Sequence, residues 1–215
     1  MRHPFGAPGR FLGRPRHGTV GTLRAAQHRP RGVDVRIAVT PTAEERTFGA
    51  EEIIVSKTDL QGRITYANDV FVRVSGYPRA ELAGRPHSLI RHPDMPRAIF
   101  RTLWQTVQGG QEIFAYVKNL AADGAFYWVL AHVTPSTDVH GAAVGYHSNR
   151  RLPAPAAVRA VEDVYRVLLD EERRHGTGNA AVDASSALLA DLLARDGVTY
   201  DEWVWGVVNG HGGLR

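Results

Sequence analysis

The chain contains no cysteine. Disulfides, thiolate metal sites, cysteine nucleophiles and iron–sulfur clusters are therefore excluded together. No apolar run approaches the roughly 18 residues that a membrane span needs. Residues 1–36 hold no serine, no continuous apolar stretch and a single acid, Asp34. A secretory leader, a transit peptide and a twin-arginine address are all poor fits to such a segment. Motifs of catalysis are scarce too: there is no G-x-S-x-G, no H-E-x-x-H and no glycine loop of the kind that cradles phosphate. His92 and Asp94 offer a metal two ligands but no clear third. The expectation is a protein that is not an enzyme, has no membrane span and resides in the cytoplasm.

Charge is unevenly spread. Residues 1–36 carry eight arginines against that one acid, whereas the remainder carries 18 basic and 21 acidic residues. The high isoelectric point thus belongs to the tail, and the mildly acidic body does not read as a nucleic-acid binder. Ten glycines and prolines among those 36 residues mark a disordered basic tail.

Beyond the tail, Thr42 three residues before Glu45 reads as a capping box that would start a short helix or turn. Ile53 to Lys57 and Arg63 to Ala67 read as strands joined by a turn at Asp59 to Gly62. Phe71, Val74 and Tyr77 follow at helical spacing, closed by Gly76. Residues 95–108 repeat Ile99, Leu103 and Val107 every four positions, with Trp104 widening that face. Three alternating runs then begin at Glu112, the first two separated by an Asp-Gly turn signal. After Pro153 and Pro155 come three amphipathic helical patterns, able to pack on the sheet or on a partner. Strands flanking a block of short helices predict an α+β fold: a five-stranded antiparallel sheet with short helices on one face, plus C-terminal helices. The expected divisions are a tail at 1–36, a sheet domain at 37–150 and a helical extension at 151–215.

One stretch concentrates chemistry. Arg91-His92-Pro93-Asp94-Met95-Pro96 sets a cation, an imidazole and a carboxylate between two prolines. Together with "TDLQGRITYAND" (58–69), "VSGY" (74–77), "VKN" (117–119), "DGAFYWV" (123–129) and "GYHSNR" (145–150), it resembles the PAS sensory domain of bacterial aerotaxis receptors over residues 56–150. The likeness implies a PAS fold with a buried cleft that holds flavin adenine dinucleotide (FAD), whose redox state is the signal. It points to Asn68, Arg91, His92, Asp94, Trp104 and Asn119 as residues that line or shape that cleft. The pattern departs at Ile113, where such receptors commonly carry tryptophan, and at His132, where an amide is common.

Each of these residues also has a plainer role. Arg91 suits a pyrophosphate, or a salt bridge to Asp94 or a helix end. Asp94 suits an N-cap of the next helix. His92 suits a cofactor or a backbone carbonyl, and Asn68 suits a flavin edge or the cap of the helix after it. Tyr127 and Trp128 alternate along a strand, so at most one faces the cleft. The functional expectation is a stand-alone redox or oxygen sensor in aerotaxis-like signalling. It would act on an unidentified downstream partner through its own C-terminal helices, with a homodimer as a further assembly. The alternatives are a haem sensor, using one of His87, His92, His132 or His147 as iron ligand, and a ligand-free interaction module.

Overall fold

The computed structural model describes residues 39–210 and 213–214; the tail expected at 1–36 lies outside them. Five strands, β1 (Ile54–Thr58), β2 (Ile64–Ala67), β3 (Ile113–Leu120), β4 (Phe126–Thr137) and β5 (Ala143–Arg151), form one sheet in the order β2-β1-β5-β4-β3. All neighbours are antiparallel. Helices α1 (Asp69–Ser75) and α2 (Arg79–Leu82), a 3-10 turn (His87–Ile90) and α3 (Arg97–Gln108) connect β2 to β3. Three helices follow β5: α4 (Pro155–Arg174), α5 (Asn179–Asp196) and α6 (Tyr200–Val208). No helix among the described residues is long and apolar enough to cross a membrane.

Local chemistry explains most boundaries. Asp59 folds the β1–β2 turn by accepting from the Gln61 and Arg63 amides at 2.9 and 2.8 Å. Gly62 closes that turn at φ 73°, a conformation glycine adopts without steric cost. Gly76 ends α1 in the same left-handed region. Helix α3 starts at Arg97 rather than Met95, because Met95 precedes a proline and is biased away from helical angles.

Where a short helix or turn is expected, the segment from Thr42 forms a bend at Ala43 and no helix. It runs extended along the start of β4, where Glu45 bridges Phe126. The Phe126 amide donates to the Glu44 carbonyl at 2.9 Å, and the Arg46 amide to the Phe126 carbonyl at 2.7 Å. The Thr42 hydroxyl donates to the Gly124 carbonyl at 3.2 Å and accepts from the nearby Glu44 amide at 3.3 Å. Sheet pairing and burial of Phe48 outweigh a local cap worth about 1 kcal/mol.

The sheet is covered on both faces. Alternate residues of β1, β3, β4 and β5 face the 3-10 turn and α3. Their neighbours face the C-terminal helices: Trp128 of β4 meets Tyr165 of α4 at 6.2 Å, and Phe114 of β3 meets Trp205 of α6 at 4.8 Å. The Tyr165 hydroxyl donates to the Tyr116 carbonyl at 2.7 Å. Tyr165 thus joins the apolar stripe of α4 to the sheet, and α4 also packs against α5 and α6. Tyr127 and Trp128 do point opposite ways, yet both are buried in packing and neither lines a cleft.

Candidate functional site

Between the inner face of the sheet and the 3-10 turn with α3 lies a cleft of about 430 Å³, within the range of small-molecule sites. Its walls are largely apolar: Leu103 and Trp104 from α3, Val117 from β3, Val133 from β4 and Tyr146 from β5. Trp104 meets Tyr146 edge-on at 5.4 Å. Glycine at 62 allows this, since a Cβ there would stand 3.0 Å from the Trp104 ring.

The polar part of the cleft is built on the strands. Arg150 of β5 is only 5% exposed. Its Nη2 donates to Ser56 Oγ at 2.9 Å and to His87 Nε2 at 2.6 Å, and its guanidinium lies 5.3 Å from the Phe71 ring centre. No carboxylate among the described residues pairs with it, and burial lowers its pKa to about 10. Desolvation, then the adjacent Arg150 charge, holds the His87 imidazole well below its usual value. His87 is therefore neutral, accepts on Nε2, and carries its proton on Nδ1.

Among the described residues, eight buried side-chain polar atoms have no partner, and four of them line this cleft: Thr58 Oγ1, Asn119 Nδ2, Ser148 Oγ and Arg150 Nη1. Each such atom costs about 1–3 kcal/mol if nothing satisfies it. Four on one wall are a concentration of hydrogen-bonding capacity that a polar guest or ordered water would satisfy.

The residues singled out in the sequence divide into two sets. Arg91, Trp104 and Asn119 line the cleft. Arg91 sits half-buried with its guanidinium 4.4 Å over Phe100 and Nη2 donating to the Met95 carbonyl at 3.1 Å. Its backbone bridges that of Asn119, which brings these two residues together. Asn68, His92 and Asp94 do not line the cleft. Asn68 Oδ1 accepts from the Phe71 and Val55 amides, both at 3.0 Å, while Nδ2 donates to the Ile53 carbonyl at 2.8 Å. That amide caps α1 and ties it to β1. His92 is buried against the edge of Phe126 at 6.1 Å, and its Nδ1 accepts from the Asp94 amide at 3.1 Å. Desolvation and the Lys118 charge lower its pKa.

Asp94 does not cap α3. Its carboxylate is exposed, 3.4 Å from Lys118 Nζ. The capping acceptor comes from α4 instead: Glu172 Oε1 accepts from the Arg97 and Ala98 amides at 2.6 and 3.3 Å. The two departures from the family pattern fall outside the cleft. Ile113 is core, and His132 stacks on Phe114 at 4.2 Å and pairs with Glu112 at 2.7 Å. Of the four imidazoles weighed as iron ligands, only His87 lines the cleft, and its Nε2 is held against Arg150.

Arg150, Ser148 and Thr58 are not marked as site residues by the sequence, although "GYHSNR" and "TDLQGRITYAND" contain them, and His87 is marked there only as a possible iron ligand. The available signal was the period of two in Tyr146, Ser148 and Arg150; only the register with β1 and β4 shows that this set faces inward.

Residues 64–150 match the family model described as "PAS fold". An aerotaxis receptor of Escherichia coli (strain K12) is 43% identical over 129 residues, which are 60% of this chain and 24% of that protein. A nitrogen fixation regulatory protein of Klebsiella pneumoniae is 30% identical over 141 residues, 55% of this chain and 28% of that one. The chain thus spans about a quarter of the length of these curated relatives. A solved PAS domain of a protein from Colwellia psychrerythraea is 22% identical, covering 46% of this chain and 84% of that one with a TM-score of 0.43. Residues 64–150 of the chain thus carry a PAS fold, and the chain is similar to an aerotaxis receptor over 129 residues.

Proposed function

We propose that this chain senses redox state or oxygen through FAD held in the cleft, and passes the signal to a downstream partner through its C-terminal helices. The observation that carries the reading is the convergence of four unpartnered polar atoms on one wall of an otherwise apolar cleft. A flavin ring is flat, apolar on its faces and polar along one edge, where carbonyl acceptors flank an imide N–H. Asn119 and Arg150 offer donors to such an edge, and the Thr58 and Ser148 hydroxyls donate or accept as needed. Trp104 and Tyr146 supply aromatic surface for the ring. Arg91, nearer solvent, supplies a planar cation suited to phosphate oxygens. A flavin bound there would supply reversible two-electron chemistry.

The chain's own contribution is the path outward. Helix α3 presents Phe100, Arg101, Leu103 and Trp104 to the cleft. Its first amides are held by Glu172 of α4, whose Oε1 also accepts from Ser185 of α5 at 2.9 Å. Arg101 pairs with Asp183 of α5 at 2.6 Å. A shift of α3 that follows a change at the cleft must alter these contacts, which is how a ligand biases a population of helix arrangements. Heat release and chromatography of whatever the purified protein carries test the proposal. FAD is the expected product; haem, or nothing from a protein that also fails to take up added FAD, contradicts it.

A further inference from the structure

We infer that Arg150 is the residue that binds the carbonyl edge of the ring itself, a role distinct from phosphate binding at Arg91. The inference rests on the flavin reading and adds to it a division of labour between two arginines. Arg150 is the more buried of the two, and its orientation is already set: Ser56 and His87 occupy Nη2, and Phe71 lies beneath the guanidinium. Nη1 is left buried and unpartnered. The β4 residue paired with Arg150 is Ala131, whose small side chain leaves that side of the cleft open.

The neighbours of Arg150 favour an imide edge over a phosphate. Ser148, two residues earlier on the same face, and Thr58 on β1 each present a buried hydroxyl without a partner. A hydroxyl can accept as well as donate. A flavin edge, which alternates carbonyl, N–H and carbonyl, uses both capacities. A phosphate diester offers only acceptors. It is better served at Arg91 and Arg101, where the cleft opens to solvent and both guanidiniums are part-exposed.

The test is the affinity of the full chain for riboflavin, which lacks phosphate, and for FAD, each followed by flavin fluorescence. Arg150→Gln should weaken both ligands alike, by about ten- to a hundred-fold, the loss expected for one hydrogen bond from a charged donor. Arg150→Lys should recover part of that loss. Arg91→Ala should weaken FAD and leave riboflavin unchanged. Wild-type affinity for riboflavin in Arg150→Gln overturns the inference, and so does a loss confined to FAD, which would place Arg150 on the phosphates. If the Gln variant does not fold, infrared difference spectra of riboflavin bound to wild type and to Arg150→Lys decide. A ring carbonyl stretch that differs between the two supports the contact; an identical stretch overturns it. Wild-type protein that binds neither flavin overturns the flavin reading as well, whereas binding that ignores Arg150 overturns this inference alone.

Discussion

Glu172 of α4 holds both ends of Arg97: its Oε1 accepts from the Arg97 amide at 2.6 Å, and its Oε2 from the Arg97 Nε at 3.0 Å. One carboxylate thereby caps the helix that walls the cleft and pairs with that helix's first side chain. The helix dipole favours an anion at this end. Arg97 in turn donates to the Thr177 carbonyl at 2.6 Å, in the loop between α4 and α5.

Replacing Glu172 by alanine removes an acceptor on which three donors converge at Oε1. We expect a loss of about 3 kcal/mol in urea unfolding, the scale for breaking a buried charged network. Hydrogen exchange should speed up in α4 and in the first turn of α3, with less change in β1 and β2. A uniform rise across the sheet would show that the contact is not a local latch.

Two tryptophans should respond in opposite ways. Trp128 packs on Tyr165, away from the cleft, so Trp128→Ala should cost about 3–5 kcal/mol of stability. Trp104 is only part-buried and lines the cleft, so Trp104→Ala should cost less stability and weaken flavin binding more. Equal effects on both readouts would remove the distinction between the two faces of the sheet.

Gly62 serves the turn and the cleft at once. Alanine there meets a left-handed backbone angle of 73° and a Trp104 ring atom 3.0 Å away. The backbone strain alone is about 1–2 kcal/mol. Chemical denaturation should show that loss, accompanied by a changed Trp104 fluorescence; an unchanged emission would mean the ring does not lean on the turn.

The depressed pKa of His87 sets a pH dependence. The unfolded chain takes up a proton near pH 6.5, whereas the folded one resists until a lower pH. Stability is therefore complete above about 6.5 and is lost as pH falls from there toward the folded value. His92 shifts in the same direction. Glu52 and Asp123, with ordinary values of 4.5 and 3.8, are also lowered and begin to cost stability only at more acid pH. Thermal melts between about pH 6.5 and 5 should thus fall less steeply in a His87→Gln variant, which keeps the share due to His92 and whose amide oxygen can still accept from Arg150, than in wild type. An equal slope in both would remove His87 as a cause.

How much of this was legible beforehand follows from the range of each interaction. The apolar strand runs, the Asp59–Gly62 turn and the Gly76 helix stop are set by neighbours in sequence, and they could be read from it. Asn68 is a mixed case: its cap on α1 is local, but its bonds to Val55 and Ile53 depend on the β1–β2 pairing. The cap on α3 was not legible, because its acceptor lies 75 residues away in α4. The Thr42 to Glu45 signal pointed to a short helix or turn, and with the distant pairing to Phe126 only a bend at Ala43 forms. Arg150 and Arg151 are adjacent and alike in sequence. Register with Ile54 and Ala131 buries the first and leaves the second exposed.

The account depends on a chromophore-sized guest meeting the unpartnered atoms of Thr58, Asn119, Ser148 and Arg150. The most direct measurement is the absorbance spectrum of the purified full chain, before and after addition of FAD. Flavin bands in the near ultraviolet and blue, lost in parallel with the cofactor in Arg150→Gln, are the predicted result. A spectrum that shows only aromatic absorbance and stays so after FAD is added and removed, or one with a haem Soret band, would contradict it.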